Sequence, residues 1–110
     1  MPFDMANLKP DLTGVGTYIH VFQDVDRRAK HGPRIKVFPG KPHEGNATSI
    51  TIPTRANELA HVVGKATIKG KTLKRALEFA KLNWAVLSIY WYHSEYGVDE
   101  LLEDLVAVSL

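Results

Sequence analysis

Leu73, Leu77, Ala80, Trp84, Leu87 and Trp91 recur at alternating steps of four and three within Thr72–His93. That spacing gathers all six on one side of an α-helix roughly 33 Å long, with Thr72 as its N-cap. The first half also carries Lys74, Arg75, Glu78 and Lys81, so one flank faces water. From Leu82 to Tyr92 no residue is charged. A helix that is apolar all round is covered all round, so this half is expected between the body of the domain and a second layer. The chain's own tail supplies part of that cover, and a second subunit the rest. Trp84, Leu87, Tyr90 and Trp91 are the residues assigned to that core or oligomer interface. Eleven uncharged residues are too few to cross a bilayer, which takes about 20.

Upstream the period changes from near four to two. Thr17–Val25 alternates, with Tyr18, His20 and Phe22 on one face and Ile19 and Val21 on the other, the pattern of a central strand. Arg34–Phe38 forms a second strand, Ile35 and Val37 inward and Arg34, Lys36 and Phe38 outward. Ala47–Ile52 forms a third, with Ile50 and Ile52 inward and Ser49 and Thr51 outward. Pro39–Asn46 is a loop by its prolines and glycines. Thr54–Val63 reads either as a short helix capped by Thr54 or as a strand over Leu59–Val63, with Lys65–Lys69 able to add more strand. After Gly97, Asp99 opens a last helix over Glu100–Val108, with Leu101, Leu102, Leu105 and Val108 on one side.

Strands first and helices last predict an α+β domain. A small antiparallel sheet of three to five strands (about 17–69) packs on a long helix (about 72–93), followed by a short C-terminal helix (about 100–108). Residues 1–16, with two prolines, Gly14 and Gly16, read as a flexible arm, leaving 17–110 as the single domain. A chain of 110 residues, 45% hydrophobic and 24% charged, supports one core and is neither disordered nor two-domain. No cysteine is present, which excludes disulfides and thiolate metal sites. With no basic, apolar leader at the N-terminus, a cytoplasmic location is expected.

The net charge of +2 conceals an asymmetry. Residues 1–75 hold 13 Lys/Arg against 6 Asp/Glu, and residues 76–110 hold 1 against 6. The front is therefore at +7 and the back at −5, a distribution that attracts polyanions or joins subunits. The densest basic stretch is Arg27, Arg28, Lys30, His31, Arg34 and Lys36, around one turn and the outward face of the next strand, with Tyr18 or Phe38 nearby to stack a base. Such a surface suits phosphates, although Asp24 and Asp26 reduce its field.

Other chemistry is thinner. Gly64-Lys65-Ala66-Thr67-Ile68-Lys69-Gly70-Lys71-Thr72 resembles a phosphate loop, but five residues separate its glycines where four are required. The histidines, His20, His31, His43, His61 and His93, lack ligand spacing. Three of them, His31 and His43 with His20 or His61, would serve acid–base RNA cleavage only if the fold brought them together. No catalytic residue, metal site or cofactor is assigned.

HGPRIKVF, followed by SITI and LKRALEFAKLNWAVL, resembles a bacterial family of small domains of unknown function. That family joins a His-x-Pro-Pro-His-x-His segment and a short sheet to a Trp-bearing C-terminal helix, often in gene pairs of toxin–antitoxin type. His31 and Pro33 match its segment, while Arg34 and Lys36 stand where it has later histidines. The resemblance implies the same α+β fold and a small protein partner. Taken together, the expected function is that of a self-associating interaction protein, a homo-oligomer without a membrane span. The alternative is a nucleic-acid-binding or RNA-processing protein that uses residues 27–36.

Overall fold

The structure, a computed structural model, describes residues 5–24, 31–41, 45–93 and 95–109. Five strands form one antiparallel sheet in sequential order. They are β1 (Met5–Leu8), β2 (Ile19–Phe22), β3 (Arg34–Val37), β4 (Thr48–Thr51) and β5 (Val62–Val63). A short helix α1 (Pro10–Thr13) joins the first two strands, and three helices follow the sheet: α2 (Gly70–Leu82), α3 (Trp84–Tyr92) and α4 (Val98–Asp104). The α+β class and the antiparallel sheet match the sequence expectation.

Alternation sorts the sheet into two faces. Ala6, Leu8, Ile19, Val21, Ile35, Val37, Ile50 and Ile52 point inward and join Ala76, Phe79, Ala80, Leu87, Tyr90 and Leu101 in one core. Each large aliphatic side chain buried there contributes about 1.5–3 kcal/mol. Helix α2 crosses β4, and α3 crosses β2. The helical layer thereby covers this face and leaves much of the other open, with Lys36 exposed and Phe22, Arg34, Ser49 and Thr51 half-buried.

Several local expectations change. Residues 5–16 are not a loose arm: Met5–Leu8 pairs with β2, Ala6 opposite Val21 and Leu8 opposite Ile19, because the sheet takes up two more inward apolar side chains at its edge. Thr54–Val63 holds neither a helix nor a full strand, only the two residues of β5 against Ser49 and Ile50, and Lys65–Lys69 adds no strand. The last helix starts after Gly97 and stops at Asp104. Its cap is Gly97, whose N–H donates to Glu100 Oε2 at 2.9 Å, and Asp99 lies within the first turn. From Leu105, whose backbone is extended, to Ser109 the chain forms neither helix nor strand.

The long helix begins at Gly70, not Thr72, and is divided at Asn83. The Asn83 side chain is buried and fully used: Nδ2 donates to Phe79 O at 3.0 Å and to Val106 O at 2.9 Å. Its Oδ1 accepts the Val106 N–H at 2.8 Å. One amide thus engages both backbone groups of a residue 23 positions away, as a neighbouring strand would. Further along, the Val108 N–H donates to Thr13 O at 2.9 Å. Beside it, Gly14 has φ of 76° and no room for a Cβ, which would run into the Val108 carbonyl oxygen. The tail therefore straps α1 to the helical layer.

The uncharged run Leu82–Tyr92 is covered largely by its own chain. Leu87, Tyr90 and Trp91 are buried, Trp84 is half-buried, and Leu82 and Ile89 remain 52% and 44% exposed. Replacing Asn83 by Ala strands the Val106 N–H and C=O and removes three hydrogen bonds. Urea unfolding is expected to register a loss of about 1–3 kcal/mol, with faster hydrogen exchange at Val106 and Val108. Unchanged exchange there would show that the strap does not depend on the amide.

Candidate functional site

The open face of the sheet carries the other half of each strand. His20 and Phe22 come from β2, Arg34 and Lys36 from β3, and Ser49 and Thr51 from β4. The register sets His20 opposite Lys36, Lys36 opposite Ser49, and Arg34 opposite Thr51. Where β2 ends and β3 begins, the C-terminal turn of α3 reaches round the sheet. The Asp24 N–H donates to Trp91 O at 2.7 Å, fixing the end of β2 to the end of α3.

The result is a cleft of about 390 Å³ lined by Phe22, Gln23, Asp24, His31, Arg34, Lys36, Ser49 and Trp91, within the roughly 300–1,000 Å³ typical of ligand sites. Its walls are aromatic and its rim is cationic. The Lys36 Nζ lies 5.3 Å from the Phe22 ring centroid, a cation–π distance. The His31 ring is 6.1 Å from that of Trp91 at 47°. His31 Nδ1 is 2.7 Å from Gly32 O; a carbonyl only accepts, so Nδ1 is the donor of this contact. Among the described lining residues two permanent cations and a histidine stand against one carboxylate, Asp24, which is only 3% exposed.

The wall is held from behind. Gln23 Nε2 donates to His93 O at 3.1 Å and to Tyr96 O at 2.8 Å, tying β2 to the turn between α3 and α4. Tyr96 in turn donates its hydroxyl to Asp104 Oδ2 at 2.6 Å. Burial first, and then that hydrogen bond and the charge of Asp104, raise the Tyr96 phenol above its ordinary range, so it remains a donor.

Of the basic cluster named from sequence, His31, Arg34 and Lys36 converge on the cleft, while Arg27, Arg28 and Lys30 lie outside the described residues. Neither Tyr18 nor Phe38, the alternatives offered for stacking, lines the cleft: Phe38 is buried against His20, rings 4.6 Å apart, and the aromatic residue of the sheet that does line it is Phe22. The histidine cluster does not assemble among the described residues. His20 is buried beneath Phe38, His61 precedes the far edge strand, and His93 is exposed beside Glu95 at 3.6 Å; His43 lies outside the described residues. Only His31 among the described histidines lines the cleft. No group of three or more potential metal ligands occurs among the described residues, and no helix there is long and apolar enough to cross a membrane.

Sequence reasoning missed Phe22, Gln23, Ser49 and Trp91 as lining residues, and had Asp24 only as a charge beside the basic cluster. For Trp91 no local signal existed, since its helical spacing is that of a core residue. For Ser49 the outward position was legible but not its nearness to Trp91.

Replacing Gln23 by Leu, of similar volume, removes both ties to the α3–α4 turn. A loss of about 1–3 kcal/mol in unfolding free energy is expected, and unaltered stability would mean that the cleft wall is held by packing alone.

Comparisons with family models, with curated proteins and with solved structures give no match to this chain, so the reading of the site rests on its own geometry.

Proposed function

We propose that this chain is a binding protein, with no reaction of its own, whose partner is nucleic acid held by its phosphates at the open face of the sheet. The observation that carries the reading is the convergence of Arg34 and Lys36, two residues apart on one strand, with His31 on a single cleft. Period-two alternation aims both long cations the same way, and the sheet carries them on rigid backbone. The +7 balance of residues 1–75 adds long-range attraction for a polyanion. A phosphate chain satisfies such groups without base recognition, and no groove-reading helix motif occurs.

The test is fluorescence anisotropy of a labelled single-stranded oligonucleotide over a range of salt. Affinity is expected to fall linearly on a log–log scale, and joint replacement of Arg34 and Lys36 by Ala is expected to lower the slope by about 1.4. No binding at low salt sinks the reading. An unchanged slope in the double variant moves the contact to Lys65, Lys69, Lys71 and Lys74.

A second reading, self-association, has its own observation. Leu82, Ala85 and Ile89 follow one another at steps of three and four and all remain exposed, as do Leu102 and Val106 of the C-terminal segment. Apolar side chains grouped in this way gain by being covered. Light scattering at high micromolar concentration is expected to give a dimer that Ile89→Glu returns to monomer. A monomeric wild type removes this reading and leaves the cleft untouched.

A further inference from the structure

We infer that the nucleic acid taken by the cleft is a single strand, and that one of its bases is turned out and lodged against Phe22 and Trp91 while its phosphates lie on Arg34 and Lys36. The inference rests on the anion-binding reading above and adds what the walls of the cleft contribute. Phosphates alone are served by a flat cationic surface. Here the cations rim a concavity whose sides include two aromatic rings from different layers, Phe22 from β2 and Trp91 from the last turn of α3. A sugar–phosphate chain has no use for an apolar concavity, whereas a nucleobase does, since every base presents a π-face to an aromatic ring.

The two rings are prepared differently. Trp91 is only 4% exposed, so it serves as a packed, immobile wall against which the base comes to rest, and the ring on which the base stacks is that of Phe22. The Trp91 backbone is pinned as well, through the Asp24 N–H on Trp91 O at 2.7 Å. Phe22 is half-buried, and its face is occupied by the Lys36 ammonium at 5.3 Å. An exposed cation–π contact is weak, and a lysine stem is long enough to leave it. When a phosphate arrives, Lys36 turns to it and bares the Phe22 face. Phosphate binding and base stacking are thereby coupled through one side chain.

Geometry also selects the strand state. In a duplex the bases are stacked and paired, and one reaches a pocket only by flipping out of the helix at an energetic cost. A single strand offers unstacked bases at little cost. Either sugar serves, because the contact is made with the face of the base.

The chain has two tryptophans, so Trp84→Phe leaves Trp91 as the sole reporter. This variant is titrated at one low salt concentration with a short oligothymidylate, with an abasic strand of the same phosphate number, and with a duplex of the same length. The oligothymidylate is expected to quench Trp91, and the abasic strand to bind roughly 5- to 150-fold more weakly without quenching. The duplex is expected to bind more weakly than the single strand. Phe22→Leu is expected to bring oligothymidylate affinity toward that of the abasic strand while leaving the salt slope unchanged, because no charge is lost. Equal affinity for normal and abasic strands, tighter duplex binding, or binding with Trp91 unquenched overturns the inference and leaves the phosphate reading standing. Failure of every polyanion to bind removes both. Should Trp84→Phe not fold, wild-type protein labelled with fluorotryptophan resolves the two rings by fluorine NMR.

Discussion

Ile19, Val21, Ile35, Val37 and Ile50 stand side by side on one face of the sheet, fully out of contact with water, and that burial is the interaction on which the rest depends. A five-stranded antiparallel sheet built from such short strands is unstable without a cover for its apolar face. Phe79, Leu87 and Tyr90, all fully buried, provide it from the helical layer. Once the helices are committed to this face, the other cannot be covered by them. Phe22, Arg34, Lys36, Ser49 and Thr51 are then presented by a rigid platform whose shape is set by packing on its reverse side, while His20 on the same face is buried by Phe38. The cleft forms where the two layers meet, because the last turn of α3 overruns the sheet far enough for Trp91 to join Phe22.

The parts of the fold written in local periodicity were legible. The strands Ile19–Phe22, Arg34–Val37 and Thr48–Thr51 lie within the stretches their alternation marked, and Ile35, Val37 and Ile50 face the core as the pattern required. What could not be read was decided at long range. The stripe from Leu73 to Trp91 runs through Asn83 without a fault, yet the helix divides there because Asn83 is bonded to Val106. Met5–Leu8 is too short to announce a strand, and it becomes one only because β2 has an unpaired edge to complete. The cationic half of the cleft was visible in His31, Arg34 and Lys36. The aromatic half was not, since Trp91 has the spacing of a core residue and lines the cleft through its place at the end of the helix.

Electrostatics and packing divide the work at this site. Arg34 and Lys36 are far less buried than the residues between and beside them, Ile35 and Val37, so their charge is available to a ligand. Aspartate at position 24 is nearly buried and is anchored through its backbone to α3. Its side chain lines the cleft, the one carboxylate among the described lining residues beside the two cations Arg34 and Lys36. The C-terminal segment contributes from a distance: Tyr96 bonds Asp104 and offers its carbonyl to Gln23, and Asn83 holds the strap beyond. The acidic end of the chain thus stabilises the wall of a basic site without entering it.

The central claim is that nucleic acid is met at the open face of the sheet. Amide chemical-shift mapping of labelled protein with a short oligothymidylate at low salt tests it most directly. The account predicts shifts concentrated at Phe22–Asp24, Arg34–Lys36, Ser49 and the Trp91 indole. Shifts concentrated instead at Leu82, Ala85 and Ile89, or along Lys65–Lys74, with the sheet face unmoved, would contradict it.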